Sequence, residues 1–342
     1  MFTALFIFIL PLLFPSGNHF SIDSTTGTIS TRVPLDRESI AAFRLQIKAS
    51  DNEPDPRLRR HALKTIDVVV VDVNDNRPVF VSPAAIPVHE DARRGQQILK
   101  IAATDADEPG PNSTLVYSYV SGNAGMFLLN SRTGELTLNA DFAGVKRTFD
   151  LVIEAADQCV STSGRRDCAL KETFKFTIFP ESSYSRGLSF ADNFYEGQVA
   201  ENQPSGALIG AIRATYTDGR STKDVQYFAS YVWNAANDEM QPALFEIDRH
   251  RGIVSTRQPG IDRERGAAKY VLDIYAVDLS SGPFPLSVKT QMNIYILDRN
   301  DEPPVFTRSV YEARAKEDIV PGRIVASVKA EDEDENGVIT YR

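Results

Sequence analysis

The run Asp72-Val73-Asn74-Asp75-Asn76 sets two carboxylates and two carboxamides within five residues, after the Val- and Ile-rich stretch 66–71. That stretch reads as a β-strand by its β-branched content, and Pro78 stops it from simply continuing. Asp and Asn are poor strand formers and good oxygen donors. A strand end that offers only hard oxygens suits Ca²⁺, which takes about six to eight oxygen ligands from carboxylates and carbonyls. The same residues also suit a polar turn between two strands. Both readings stand on this stretch alone, and the elements around it decide between them.

Internal repetition supplies those elements. Phe20, Phe127 and Phe245 are each followed seven positions later by a glycine, Gly27, Gly134 and Gly252. Strand, glycine turn and strand is the signal of a β-hairpin. A second marker is an alternating apolar run that ends in aspartate. Phe43, Leu45, Ile47 and Ala49 lead to Asp51; Phe149, Leu151, Ile153 and Ala155 lead to Asp157; Tyr270, Leu272, Ile274 and Ala276 lead to Asp278. Period-two apolarity means one buried face. A third marker is a glutamate five residues before a glycine: Glu90, Glu201 and Glu317. Asp105 and Asp107 follow Glu90 by 15 and 17 positions, and Asp332 and Asp334 follow Glu317 at the same offsets. After Glu201 those offsets hold Tyr216 and Asp218, so one carboxylate is missing. A fourth marker is Asp36-Arg37-Glu38, which recurs as Asp262-Arg263-Glu264. Each triplet lies 36 positions before an acidic strand end, Asp72 or Asp298.

The glutamates recur at 111 and 116 residues and the hairpin glycines at 107 and 118, the size of one sandwich domain. Short strands, Gly/Pro/Asn turns and no convincing amphipathic helix predict an all-β chain of tandem sandwiches.

Composition narrows the function. The chain has 342 residues, 42% hydrophobic and 24% charged, with a net charge of −9. That balance is globular rather than disordered. The negative charge, with no basic face interleaved with aromatics, argues against nucleic acid and for cationic ligands. No Gly-x-Ser-x-Gly, phosphate-binding glycine loop or His-Glu-x-x-His is present, and the histidines 19, 61, 89 and 250 are scattered. No enzyme constellation emerges, and the lone Trp233 reads as core packing. Cys159 and Cys168 bracket a Ser/Gly/Arg-rich loop. They read as one local disulfide in an oxidising compartment, or as two free thiols. Residues 1–14 are nearly all apolar, too short to span a bilayer, and like the core of a secretory signal followed by Pro15-Ser16-Gly17, although no Lys or Arg comes before Arg32.

In register, these motifs resemble the extracellular repeats of the cadherin superfamily, in a long, non-desmosomal ectodomain. The resemblance covers residues 17–342. It rests on the early glutamate, the DRE triplet, the DXNDN linker, the DXD pair and the late aspartate of the alternating strand. It implies Greek-key β-sandwiches in an elongated array, with an apolar leader or non-native segment at 1–16. A partial repeat is expected at 17–76, whole repeats at 77–185 and 186–302, and a partial repeat at 303–342. Half a sandwich leaves an open hydrophobic face.

In this family Ca²⁺ sits between successive repeats and stiffens junctions where carboxylates otherwise repel. At the first linker the pattern carries over to Asp36 and Glu38, then Asp72, Asn74 and Asp75, with Asn76 through its main-chain carbonyl. Asp105, Asp107, the carbonyl of Asn112, and Asp157 follow from the next repeat. At the third linker it carries over to Glu201, Asp262, Glu264, Asp298, Asn300, Asp301, and Glu302 through its carbonyl. Asp332, Asp334 and Asn336 complete that set. The middle linker, Phe179-Pro180-Glu181-Ser182-Ser183-Tyr184-Ser185, has lost the motif. Glu90, Asp218, Asp278 and Asp141 are all that remain, which predicts zero or one Ca²⁺ there and a flexible or bent junction.

The resemblance implies calcium-dependent cell–cell adhesion on the extracellular side of the plasma membrane. The partner is another cadherin, homophilic or heterophilic, in cis or trans, and membrane attachment is through parts outside this chain. The alternative is a calcium-stiffened spacer with binding done by other repeats. Asn112-Ser113-Thr114 is also a glycosylation sequon.

Overall fold

The computed structural model describes residues 5–9 as a strand, together with 19–51, 60–122, 125–159, 168–192, 194–280 and 284–308. It also describes 310–315, 317, 319–335 and 337–341. Every regular element among them is a β-strand. They fall into two compact units, residues 1–76 with 106–112, and residues 77–105 with 113–342.

In the first unit the strand Ala42–Ser50 is central, antiparallel to Leu5–Ile9 on one side and His61–Val69 on the other. Its alternation buries Phe43 and Leu45 with Phe20, whose ring meets Phe43 edge-on at 5.0 Å. Phe20–Ile22 and Ile29–Thr31 form the expected hairpin, closed by the Asp23 carboxylate, which accepts the Thr25 and Thr26 amides at 2.8 and 2.7 Å. Leu5–Ile9 lies along the edge of Ala42–Ser50, with Ile7 in register with Ile47. An unpaired strand edge offers a row of backbone groups, and an extended apolar segment satisfies them. On the outer strand Leu63 and Val69 are exposed on one face and Ile66 on the other.

In the second unit the strands between Val79 and Glu181 form one sandwich. Val116–Ser121, Phe149–Ala156, Lys171–Glu181 and Ala85–His89 make one sheet, the last two strands parallel. Phe127–Leu129, Glu135–Leu138 and Gln97–Lys100 make the other. Phe127, Leu136, Leu138, Leu151, Ile153 and Phe176 fill the space between them. Cys159 and Cys168 are disulfide-bonded; the loop they bracket lies outside the described residues.

The next sandwich has a five-stranded sheet, Tyr195–Ala200, Leu286–Leu297, Lys269–Asp278, Val225–Asn234 and Met240–Gln241. It faces Leu208–Ala211, Ile253–Thr256 and Phe245–Ile247 across a separate core that includes Phe245, Leu272, Ile274 and Ile294. Trp233 is not in that core. It is half-buried on the outer face, beside Tyr231, with its indole N–H 3.4 Å from Asp273 Oδ2. An indole N–H seeks an acceptor, which an apolar core would not provide. Beyond residue 303, Val305–Phe306 pairs with Ala330–Glu331.

Candidate metal centres

At the first joint the carboxylates of Glu38, Asp72 and Asp107 converge within 4.8 Å of one another. The Asp-Arg-Glu triplet is held as a turn by its own aspartate. Asp36 Oδ1 accepts the amides of Glu38 and Ser39 at 3.0 and 3.3 Å, and Oδ2 accepts the Ser39 hydroxyl at 2.8 Å. Asp side chains favour such local turns, and this one projects Glu38 toward the linker. The linker is tied to the loop 106–112. Asp72 accepts the Glu108 amide at 3.1 Å and the Asn112 carboxamide at 2.8 Å. Asn76 donates to Asp107 Oδ1 from its side chain at 2.7 Å and its backbone at 3.3 Å, and to Asp75 at 3.0 Å. Asn74 is half-buried between Asp72 and Asp75.

The charge crowding shows in the proton equilibria. A backbone amide lowers the Glu38 carboxyl, but burial and the Asp36 and Asp75 carboxylates outweigh it, and the net shift is upward. Asp36 shifts down, chiefly through the Ser39 hydroxyl. Arg37 meets Glu108 at 2.5 Å, which relieves some of the negative charge. Of the remaining expected ligands, Asp105 is half-buried and Asp157 buried in the following sandwich. Asp157 accepts the Cys159 and Leu170 amides at 2.8 and 2.7 Å.

The third joint is more completely built. Glu201, Asp262 and Glu264 form one carboxylate triad and Glu264, Asp298 and Asp334 a second, so Glu264 belongs to both. Glu201 is fully buried and aimed by two backbone amides, Arg263 at 2.9 Å and Arg299 at 2.6 Å. The Asp262 turn mirrors that of Asp36, with Oδ1 accepting the Arg265 amide at 2.8 Å. Asp298 Oδ1 and Asp334 Oδ2 are buried and, among the described residues, receive no hydrogen bond. Burial, then the hydrogen bond with Glu201, pushes the Glu264 carboxyl up to about 7. Burial, with the Asp332 and Asp298 carboxylates, also raises Asp334. Arg263 lies in the crowd, 3.8 Å from Glu264, 3.5 Å from Asp298 and 2.7 Å from Glu335. Glu302 presents its side chain to Arg265 at 3.0 Å while its amide donates to Asp334 at 3.3 Å. Arg265 also meets Asp262 at 3.0 Å and so bridges the two carboxylates. Asp301 accepts the Asn202 carboxamide, Asn300 is exposed, and the Asp332 carboxylate accepts the Asp334 amide at 3.1 Å. Asn336 lies outside the described residues.

A set of hard, anionic oxygens, two of them buried without a hydrogen bond among the described residues, fits a hard divalent cation that tolerates mixed geometry. Ca²⁺ is therefore compatible with the residues of the third joint.

At the middle joint no group of three carboxylates comes together among the described residues. Those that remain contact protein groups, although Glu90 Oε2 is buried and accepts no hydrogen bond among the described residues. Tyr216 donates its hydroxyl to Asp278 Oδ2 at 2.5 Å, and Ser280 donates its amide and hydroxyl to Oδ1. Glu90 Oε1 accepts the Ser182 hydroxyl at 3.0 Å. Asp218 faces Arg220, and Asp141 faces Arg93 and the Arg94 amide. Sequence reasoning missed the residues that pack here, an aromatic cluster of Phe179, Phe228 and Tyr275 with Ala85 and Val277. The signal lay in the alternating strands. Their outward positions hold Lys48 and Ser50 in one repeat and Glu154 and Ala156 in the next, but Tyr275 and Val277 in the third.

Fold and site together define tandem β-sandwiches whose junctions gather carboxylates. The chain belongs to the cadherin family: the model of the cadherin domain matches residues 10–69, 84–173 and 195–297. It is 32% identical over 329 residues to human protocadherin Fat 4, covering 96% of this chain and 6% of that protein. It is 32% identical over 345 residues to mouse cadherin EGF LAG seven-pass G-type receptor 1, covering 97% and 11%. The chain thus spans a small part of the length of these curated relatives. Among solved structures, mouse cadherin-23 EC22-24 aligns over 86% of both chains at 24% identity, with a TM-score of 0.43. Among the described residues no helix is long and apolar enough to cross a membrane.

Proposed function

We propose that this chain is a segment of a calcium-dependent adhesive ectodomain, displayed on the extracellular side of the plasma membrane and divided near residues 76, 185 and 302. The observation that carries the reading is the pair of triads sharing Glu264, with a buried Asp334 oxygen that accepts no hydrogen bond among the described residues and a buried Asp298 oxygen faced by Arg263 at 3.5 Å, beyond a hydrogen bond. Bound Ca²⁺ would supply positive charge that offsets carboxylate repulsion. Glu201, Asp262, Glu264, Asp298 and Asp334, with Asn300, Asp301 and Asp332 beside them, would hold it at the third joint. Glu38, Asp72 and Asp107, with Asp36, Asn74, Asp75 and Asn76, would do so at the first, where Asp105, Asn112 and Asp157 complete the expected set.

With its joints stiffened, the segment carries force and presents its faces to another cadherin. The names of its relatives, a protocadherin and seven-pass receptors with cadherin repeats, accord with this setting. Calcium titration calorimetry on the full chain tests the metal reading, and bead aggregation with and without Ca²⁺ tests adhesion. Saturable calcium uptake that E201Q and D298N reduce is expected. A chain that takes up no calcium would end the proposal. Uptake without aggregation would assign the segment to a stiffened spacer instead.

A further inference from the structure

The middle joint carries contacts well beyond its linker. Phe179, at the end of the strand Lys171–Glu181, stacks on Phe228 of the next sandwich, with centroids 4.3 Å apart and planes 10° from parallel. Tyr275 meets Phe179 edge-on at 5.2 Å. Ser182 and Ser287 exchange hydrogen bonds of 2.9 Å, one each way. Farther back along the first sandwich, the Ser230 hydroxyl donates to the Ala85 carbonyl at 2.7 Å. Arg249 donates to Thr177 and Asp150 at 2.9 and 3.0 Å. Arg257 donates to the Lys175 carbonyl at 3.0 Å and lies 5.2 Å above the Phe174 ring. Ala243 is buried in the core of the first sandwich, not its own.

The order of these contacts fixes the geometry. Phe179, Thr177, Lys175 and Phe174 recede from the joint along one strand. Their partners Phe228, Arg249 and Arg257 recede from the same joint in the other sandwich. Arg257 belongs to that sandwich's far end: its neighbour Thr256 donates to the carbonyl of Pro204, three residues past Glu201 of the third-joint triad. Lys175 lies six residues before Glu181, about 20 Å up the strand at about 3.3 Å per residue. Sandwiches joined end to end would touch only near the linker. These two lie side by side, the second turned back along the first.

We propose that residues 77–302 form a closed, calcium-independent elbow, in which the Phe179–Phe228–Tyr275 cluster and the Arg249 and Arg257 contacts take over the role that metal has at the other joints. Three features support metal independence. Tyr216 stands where a carboxylate would be needed, and its hydroxyl holds Asp278. Asp218 and Asp141 face arginines, and Glu90 Oε1 accepts the Ser182 hydroxyl, which leaves Glu90 Oε2 as a single isolated carboxylate oxygen with no carboxylate triad around it among the described residues. The contacts that close the elbow are apolar stacking and hydrogen bonds, which a chelator does not remove. Unlike the flanking joints, this one holds the direction of the chain whether or not calcium is bound. The inference stands apart from the calcium reading and is tested by a different measurement.

The test is a spin-label or fluorescence distance measurement on the full chain labelled at T173C and S205C, both exposed. Thr173 lies near the far end of the first sandwich and Ser205 near the far end of the second. End to end, strands of 11 and 12 residues separate such sites by about 75 Å. The closed elbow places them at less than half of that, equally in Ca²⁺ and in EGTA. A long separation in both conditions, or one that changes with Ca²⁺, overturns the proposal. Phe228 lies outside both sandwich cores, so F228E is expected to lengthen the distance while each sandwich stays folded. If F228E stays closed, the aromatic cluster is not the lock. If F228E does not fold, R249E/R257E asks the same question from the polar side, and an unchanged short distance there refutes the contact strip.

Discussion

The Tyr216 hydroxyl donates to Asp278 Oδ2 at 2.5 Å, at the offset from the early glutamate where Asp105 and Asp332 stand in the neighbouring repeats. A phenol there converts a position that would ask for a cation into one that supplies a proton donor. Asp278 is buried, and its other oxygen accepts the Ser280 amide and hydroxyl. Y216F removes a donor to a buried carboxylate while keeping the ring. It is expected to lower stability by about 2 kcal/mol, read by chemical unfolding in EGTA. A loss below about 0.5 kcal/mol would show that the hydroxyl is not what holds Asp278.

Glu264 is shared by both triads of the third joint, whereas Asp262 belongs to one. A unit charge about 4 Å away is worth about 4 kcal/mol at an effective dielectric of about 20. E264Q is therefore expected to weaken two calcium-binding steps by at least about tenfold each, the factor carried by 1.4 kcal/mol. D262N should weaken one step and leave the other nearly unchanged. Calorimetric titration separates the two patterns. Equal effects of both variants on all steps would rule out a shared ligand.

In chelator the same glutamate makes stability depend on pH in an unusual direction. Its carboxyl is raised from 4.5 to about 7, by burial first and Glu201 second. Between those values the folded chain holds a proton that the unfolded chain has released, so stability falls as pH rises through that window. Metal-free protein should melt at a higher temperature near pH 5.5 than near pH 7.5 in this respect, and E264Q should flatten that part of the profile. Saturating Ca²⁺ should reverse the slope, because the metal requires the deprotonated carboxylate. A melting profile in EGTA that E264Q leaves unaltered would count against the raised carboxyl.

What the sequence could show follows from the range of each interaction. The alternating runs ending at Asp157 and Asp278 carry their burial pattern in their own residues, and Leu151, Ile153, Leu272 and Ile274 are indeed fully buried. The Asp-Arg-Glu turns are local as well, and the structure closes them through Asp36 and Asp262. Glu201, Glu264 and Asp298 are distant in sequence, and only their repeated register brought them together before their geometry was known. Three features were not legible. Leu5–Ile9 pairs with a strand about forty residues away, a partner that local apolarity does not name. Trp233 sits outside the core because of a single acceptor, Asp273. At the middle joint the lost motif announced a flexible or bent junction, but the cluster of Phe179, Phe228 and Tyr275 joins two outward faces, and the change from Lys48 and Glu154 to Tyr275 was its one trace.

The seven-residue interval from phenylalanine to glycine makes a prediction that separates its two physical causes. Gly134 has φ of +72°, and a Cβ there would lie 2.1 Å from the Ile101 carbonyl oxygen. Gly144 has φ of +73°, with nothing within 4 Å of the same point. G144A therefore measures the cost of a side chain in the left-handed region alone, about 1–2 kcal/mol. G134A adds a collision with backbone that has no rotamer to yield, for a further loss of about 1–3 kcal/mol. The Ile101 amide also bonds the Gly134 carbonyl at 2.8 Å, so any shift that relieves the clash breaks a contact between the hairpin and the sheet edge. Unfolding of the two variants, side by side, should place G134A clearly below G144A. Equal losses would mean that the interval is kept by φ alone and that the close approach to Ile101 is incidental.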